Sequence, residues 1–215
     1  MKSSRPYQYI KGWVEFYKLR FKVTPDVFIP RPETELLVSQ VLAFKPQSVL
    51  DLGTGSGCIA ISIAKNLPDT KIVASEVSKN ALNLAKQNAK FHQVNIQFIL
   101  SNLLENIFEP FDVIVTNLPY IPTERIPYLD SSVKDYEPTI ALDGGEDGFK
   151  LYRKLFAQIK KKEWSPMLIC EIDYTHAELA VNEALKYFPN AQVEVKTDLA
   201  HKQRILLLRG LPYHS

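Results

Sequence analysis

The chain has 215 residues, of which 46% are hydrophobic, 23% charged and 11% aromatic, and these values are typical of globular proteins and exclude disordered or collagen-like chains. Its 26 basic and 24 acidic residues leave a formal net charge of +2, which by itself points to neither a nucleic acid nor an anionic membrane as partner. Cys58 and Cys170 lie in apolar stretches, and no apolar run has the length of a membrane span or a signal peptide, so we expect a cytoplasmic protein with two buried, reduced thiols and no membrane contact.

The N-terminal segment differs from the rest of the chain. Residues 7–23 are basic and rich in aromatic side chains, with partial alternation around Gly12, and we expect a β-hairpin there. An extended connection is predicted by three prolines, Pro25, Pro30 and Pro32. A helix then opens at Glu33 with acidic residues in its first turn. We therefore divide the chain into a hairpin with its connection, residues 1–32, and a main domain, residues 33–215.

Short apolar runs alternate with helical patterns in the main domain. The predicted strands are 48–52, 71–76, 96–100, 111–116, 167–172, 192–196 and 204–208. Helices are expected at 58–66, at 79–90 with Ser78 as N-cap, at about 148–161 and at 175–187. The last two strands leave no room for a crossover helix and should be antiparallel. The pattern predicts an α/β fold with a doubly wound, mostly parallel seven-stranded sheet and a C-terminal antiparallel hairpin.

A glycine-rich segment follows the first strand of this sheet. Residues 53–57 read Gly-Thr-Gly-Ser-Gly, and at the carboxyl end of a parallel strand glycine lets backbone N–H groups approach a ligand closely. Glu76 ends the next strand, where an acid can accept hydrogen bonds from ribose hydroxyls. The segment also fits the dinucleotide fingerprint. A nucleoside-containing cofactor is therefore predicted, with NAD and S-adenosylmethionine both open at this point.

A second motif, Asn117-Leu118-Pro119-Tyr120, follows the strand at 111–116. Proline cannot donate to a sheet ladder, so this sequence is poor strand material and is better interpreted as part of a site. It lies at the same sheet edge as the glycine-rich segment. The two motifs together resemble the S-adenosylmethionine-dependent methyltransferases that act on planar amide or amino nitrogens.

Three further segments make the resemblance specific: residues 9–13, 28–35 and 136–142, the last followed by Gly144, Gly145 and Gly148. With them the chain resembles the HemK/PrmC family, the protein-(glutamine) methyltransferases of peptide chain release factors. The likeness extends to Glu171, Asp198 and Arg204 near the end of the chain. It implies a Rossmann-like class I methyltransferase fold and methyl transfer from S-adenosylmethionine to the glutamine of the Gly-Gly-Gln motif of release factors, the protein substrate.

The resemblance also implies roles for individual residues. The Asn117 side-chain oxygen and the Leu118 carbonyl would accept the two N–H groups of the substrate amide, and Pro119 with Tyr120 would form a flat apolar wall. Arg31 and Pro32 would close over the methionyl end of the cofactor. The residues implied to bind S-adenosylmethionine are Gly53, Thr54, Gly55, Ser56, Gly57, Glu76, Asn102, Leu103 and Asn117. The four histidines lack metal-ligand spacing, and we expect no metal.

The sequence departs from the family at two site positions. Leu118 replaces the first of two usual prolines, a form also seen in ribosomal RNA adenine dimethyltransferases, and Asn102 replaces an acid. Family members carry a helical N-terminal domain, and this sequence begins near where that domain ends, so we expect a truncated or naturally short form. We also expect a monomer. Two other functions stay open: methylation of an adenine amino group in RNA or DNA, favoured by Leu118 and the basic aromatic residues 7–23, and a noncatalytic cofactor-binding module.

Overall fold

The computed structural model describes residues 5–211; the outer ends of the two predicted segments, residues 1–4 and 212–215, lie outside this range, as does His214. The α-helices are α1 (Tyr7–Lys11), α2 (Glu35–Phe44), α3 (Cys58–Asn66), α4 (Lys79–His92), α5 (Ser131–Lys134), α6 (Lys150–Lys161) and α7 (Ala177–Tyr187). The strands are β1 (Trp13–Phe16), β2 (Leu19–Lys22), β3 (Ser48–Leu52), β4 (Lys71–Glu76), β5 (Gln97–Leu100), β6 (Val113–Thr116), β7 (Met167–Glu171), β8 (Gln192–Thr197) and β9 (Gln203–Arg209). Short 3-10 turns span Pro32–Thr34, Thr123–Tyr128 and Thr139–Ala141.

The main sheet of residues 5–211 has seven strands in the order β5-β4-β3-β6-β7-β9-β8. The five strands from β5 to β7 run parallel, and β9 pairs antiparallel with both β7 and β8. Leu52 pairs with Ser75 on one side and with Thr116 on the other, so the carboxyl ends of three strands meet at one edge. The predicted sheet, including its C-terminal antiparallel hairpin, is confirmed.

Helices cover both faces of the sheet, which explains why its central strands β3, β6 and β7 are buried along almost their whole length. One face packs against α6, where the Phe149 and Tyr152 rings stack with centroids 4.8 Å apart. The other face packs against α2 and α3, with Leu37 and Ile61 fully buried. Full burial of each such side chain contributes roughly 1.5–3 kcal/mol to folding, so these two layers hold the strand ends that form the site.

The N-terminal prediction is correct only in part. Residues 13–22 form the expected hairpin, but the residues before it form helix α1 rather than a strand. Gly12 adopts φ +81°, and its N–H donates to the carbonyl of Gln8, which ends the helix. The aromatic spacing resembled strand alternation, but in the structure Tyr9 is a buried residue of helix α1. Phe16 and Phe21 of the hairpin are buried with residues of α2 and α3, so the hairpin packs on the main domain.

Both cysteines are buried as free thiols, as predicted. Burial raises the pKa of Cys58 and of Cys170 to about 12, so both thiols stay protonated at neutral pH. None of the helices in residues 5–211 has the length and apolar character that crossing a bilayer requires.

Candidate functional site

The carboxyl edge of the sheet opens into a cavity of about 680 Å³. This volume lies within the roughly 300 to 1,000 Å³ typical of small-molecule sites. Most of the residues predicted for the site line it, namely Gly53, Thr54, Gly55, Ser56, Glu76, Asn102, Leu103, Asn117, Leu118, Pro119 and Tyr120. The glycine-rich loop and the Asn117 motif therefore share one cavity, because their strands β3 and β6 are neighbours.

The glycine-rich loop is held by Asp51, which is fully buried at the end of β3. Its Oδ2 accepts a hydrogen bond from the Thr54 hydroxyl at 2.6 Å and another from the Ala60 N–H at 3.1 Å. Burial raises the pKa of Asp51 to about 7, although both of these donors lower it. Gly53 and Gly55 have φ values of +75° and +56°, a conformation in which a side chain would be strained. The loop thus presents main chain to the cavity.

Gly57 does not line the cavity, unlike the other residues predicted for cofactor binding. Its φ is +84°, and a Cβ there would lie 3.0 Å from Ile61 Cδ1 and 3.2 Å from Ala85 Cβ. Ile61 belongs to α3 and Ala85 to α4, so the missing side chain allows these two helices to pack closely. Gly57 therefore has a packing role between α3 and α4.

Glu76 connects the glycine-rich loop after β3 to the residues that follow β4. One carboxylate oxygen accepts the N–H of Gly55 at 3.0 Å, and the other accepts the N–H groups of Val77 and Ser78, each at 2.9 Å. A carboxylate has about four lone-pair directions, so Glu76 keeps acceptor capacity for hydroxyl groups of a ligand. Its position at the end of β4 is the one predicted from the sequence.

Asn102 and Leu103 form the next part of the cavity wall. The Asn102 amide N–H donates to Glu105 Oε1 at 3.1 Å, which leaves the amide oxygen of Asn102 as the acceptor available to a ligand. Leu103 has φ +53°, a left-handed conformation uncommon for a residue with a Cβ, and the Ser101 hydroxyl donates to its carbonyl at 2.8 Å. This local strain is of the kind that clusters at functional sites.

Asn117 is oriented by a residue to which we assigned no function from the sequence. Its Nδ2 donates to the hydroxyl oxygen of Thr34 at 3.2 Å, so the amide oxygen Oδ1 remains as the acceptor available to a substrate. Thr34 lies in the 3-10 turn before α2 and is 2% exposed. Thr34 belongs to segment 28–35, which carries part of the family resemblance, so that segment was the sequence signal for this residue.

The rest of the motif is fixed by contacts with the core. The Leu118 side chain is 4% exposed, and its Cδ2 lies 3.4 Å from the position of a Cβ on Gly53. The Tyr152 hydroxyl lies 3.4 Å from the Leu118 carbonyl and donates to the nearer carbonyl of Glu171. Tyr120 donates through its hydroxyl to Glu171 Oε1 at 3.3 Å. These contacts keep the Leu118 carbonyl and the Tyr120 ring at the cavity.

Glu171 is the last residue of β7 and lines the same cavity, although only 2% of it is exposed. Burial raises the pKa of Glu171 to about 7, against the lowering influence of the Thr34 hydroxyl and the Arg204 guanidinium. Burial, reinforced by the charge of Glu171, also raises the pKa of Tyr120 well above its usual value, so its phenol stays protonated. The resemblance included Glu171 but assigned it no role.

Arg31 lines the cavity, whereas Pro32, the other residue expected to close over the cofactor, does not. The Arg31 guanidinium forms an ion pair with Glu137 Oε1, and Glu137 Oε2 accepts the N–H of Ile29 at 3.1 Å. The Glu137 side chain is 1% exposed. The positive charge of Arg31 is thus paired within the protein, and Glu137 fastens the segment before α2 to the loop that precedes α6.

Known proteins resemble this chain in sequence and in fold. Residues 19–126 match the family model described as the methyltransferase small domain. The chain is 38% identical over 211 residues to the release factor glutamine methyltransferase of Lactococcus lactis subsp. lactis, covering 96% of this chain and 78% of that protein. It is 38% identical over 216 residues to the release factor glutamine methyltransferase of Thermodesulfovibrio yellowstonii, covering 96% and 77%.

Solved structures support the fold. Ribosomal protein L11 methylase from Lactobacillus delbrueckii subsp. bulgaricus has a TM-score of 0.63 at 19% identity, covering 88% of this chain and 84% of that one. The catalytic domain of hMettl16 has a TM-score of 0.66 at 16% identity, covering 88% and 74%. The structural likeness confirms the Rossmann-like class I methyltransferase fold, and the sequence relatives show that the chain belongs to the release factor glutamine methyltransferase family.

Proposed function

We propose that this protein transfers the methyl group of S-adenosylmethionine to the side-chain amide nitrogen of the glutamine in the Gly-Gly-Gln motif of a peptide chain release factor. The observation that carries the proposal is the shared cavity, which the glycine-rich loop lines together with Asn117 and Leu118. A methyl donor and a planar amide can meet in such a cavity, because the glycine-rich loop would hold the donor and the Asn117 motif would hold the amide.

The residues present fit the cofactor. Apart from its two chain neighbours, no residue that the structure describes has an atom within 4 Å of the position that a Cβ on Gly55 would take, so a ligand can approach the main chain there, and the Glu76 carboxylate suits ribose hydroxyls. The Ser56 hydroxyl lines the cavity, is buried, and has no hydrogen-bond partner among residues 5–211, so it is available to the polar end of a ligand. Asn102 and Leu103 would contact the adenine. When bound, S-adenosylmethionine supplies an electrophilic methyl group on a positively charged sulfur.

The residues around Asn117 would prepare the substrate for attack. An amide nitrogen is a poor nucleophile because its lone pair is delocalised into the carbonyl group. Two acceptors, Asn117 Oδ1 and the Leu118 carbonyl, would orient the NH₂ group and stabilise the positive charge that develops on nitrogen. Thr34 keeps the Asn117 amide from turning its N–H groups toward the substrate. Positioning therefore accounts for most of the rate, and no strong base is required.

Adenine methylation receives less support from the N-terminal segment than the sequence alone gave it. Phe16 and Phe21 are 1% and 0% exposed, so these rings are not available to stack on bases. The Trp13 ring already has the Lys11 ammonium 3.1 Å and the Arg20 guanidinium 3.9 Å from its centroid. Packing within the protein thus accounts for these three rings, and the release factor remains the favoured substrate.

We further propose that residues 33–215 form the methyltransferase domain, with residues 1–32 as an N-terminal extension. The protein would act in the cytoplasm, since two buried free thiols suit a reducing compartment.

The proposal is tested by incubating the protein with labelled S-adenosylmethionine and purified release factor, followed by mass analysis of the peptides. We expect one methyl group on the glutamine of the Gly-Gly-Gln peptide. Asn117→Ala should lower turnover by about a hundredfold with little change in cofactor affinity, and Glu76→Ala should mainly weaken cofactor binding. Methyl transfer to an oligonucleotide instead of the release factor, or to neither, would contradict the proposal.

A further inference from the structure

The Glu171 carboxylate is a buried acid for which the methyl transfer described above has no use. Thr116 pairs with Cys170 in the parallel ladder of β6 and β7. The next residues along the chain, Asn117 after β6 and Glu171 at the end of β7, therefore lie side by side. Both line the cavity. An acid at this position lies beside the residue that would hold the substrate amide.

The two oxygens of Glu171 are not equivalent. Oε1 accepts the Tyr120 hydroxyl at 3.3 Å. Oε2 is buried and forms no hydrogen bond with residues 5–211, although the Thr34 hydroxyl is near enough to lower the pKa of this carboxyl. Leaving such an oxygen without a donor is costly, and native proteins usually satisfy it with a ligand, water or protein group. The unsatisfied oxygen therefore points to a donor that arrives with the substrate.

Charges around Glu171 restrict what that donor can be. Arg204 also lines the cavity, and its guanidinium Nε pairs with Asp198 Oδ2 at 3.2 Å rather than with Glu171. Arg204 offsets part of the negative charge of Glu171 and of Glu33, a second acid that lines the cavity. Pro119 and Tyr120 line the cavity beside it with apolar surface. A neutral planar N–H donor, such as an amide, fits this combination of one acceptor, apolar walls and a nearby guanidinium.

We propose that Oε2 of Glu171 accepts a hydrogen bond from an amide N–H of the residue to be methylated, while Oε1 holds the Tyr120 ring in place. Glu171 would then be a third substrate acceptor beside Asn117 Oδ1 and the Leu118 carbonyl. The inference rests on the proposed function, because it takes the substrate to be an amide-bearing residue.

The test compares Glu171→Gln with Tyr120→Phe. In Glu171→Gln the Tyr120 hydroxyl takes the amide oxygen, which leaves an NH₂ group where Oε2 accepted. Tyr120→Phe keeps Oε2 and removes only the contact with Oε1. Calorimetry with a Gly-Gly-Gln peptide, in the presence of S-adenosylhomocysteine, measures substrate binding without turnover. We expect roughly 10- to 100-fold weaker peptide binding for Glu171→Gln, a smaller loss for Tyr120→Phe, and unchanged S-adenosylhomocysteine affinity in both.

Three results would overturn this role of Glu171. One is equal peptide affinity in wild type and Glu171→Gln; another is an identical loss in the two single variants and in the double variant, which would mean that Glu171 acts only through Tyr120. Weaker S-adenosylhomocysteine binding in Glu171→Gln would likewise indicate general damage and contradict the contact. Failure of the proposed function is separate: the wild-type protein would bind the peptide, with Glu171→Gln impaired, yet methylate no release factor.

Discussion

Replacing Thr34 by valine removes one hydroxyl from the site and leaves the shape of the side chain almost unchanged. Thr34 is buried, and its oxygen is the acceptor for Asn117 Nδ2 at 3.2 Å. In Thr34→Val the Asn117 amide loses this acceptor and can rotate, so that its N–H groups point to the substrate in place of Oδ1. The variant therefore tests whether amide orientation matters for turnover.

The size of the effect follows from the hydrogen bond that is lost. A neutral hydrogen bond contributes about 1 kcal/mol net, and a buried group left without a partner costs roughly 1–3 kcal/mol. A loss of about 1.4 kcal/mol in the transition state lowers kcat by about tenfold. The Thr34 hydroxyl also lowers the pKa of Glu171, so its removal should raise that pKa further.

Steady-state kinetics with release factor, together with calorimetry for S-adenosylmethionine, measures the two consequences separately. We expect Thr34→Val to lower kcat about tenfold while the cofactor Kd stays within about twofold. Thr34→Ser keeps the hydroxyl and should retain most of the activity. Unchanged kcat in Thr34→Val, or an equal loss in Thr34→Ser, would refute the reasoning that the hydroxyl orients Asn117.

Two further predictions concern stability. Gly57→Ala should lower the free energy of unfolding by roughly 1–3 kcal/mol, because its Cβ would crowd Ile61 and Ala85 at φ +84°; an unchanged urea midpoint would contradict this. Burial raises the pKa of Glu171 from 4.5 to about 7, with Arg204 opposing the shift and Glu33 adding to it. The folded protein therefore favours the protonated carboxyl. The contribution of this group to the free energy of unfolding is complete below pH 4.5 and is lost as the pH rises through 7. Between pH 4.5 and 8, wild type should therefore lose roughly 3 kcal/mol relative to Glu171→Gln, and parallel stability curves for the two proteins would disprove the shift.

The regular elements were predictable because their signals are local. The central strands of the main sheet are short, largely apolar runs, and β8 alternates polar and apolar residues. Ser78 marks the start of α4 by accepting the N–H of Ala81 through its side chain. The N-terminal segment was harder to predict, because the aromatic residues around Tyr9 are spaced in a way that suits either a strand or a short helix. Gly12 decides between them, since its left-handed backbone ends a helix at that point.

The sequence by itself determined the seven strands, the glycine-rich loop and the Asn117 motif, because each depends on residues a few positions apart. Only the tertiary structure decided which side chains hold the motif in place. Thr34 and Asn117 are 83 residues apart in the chain, Arg31 and Glu137 are 106 apart, and Tyr120 and Glu171 are 51 apart. Such contacts depend on strand order, which placed β7 beside β6 and the turn before α2 beside the end of β6, and hydrophobic periodicity carries no information about these pairings.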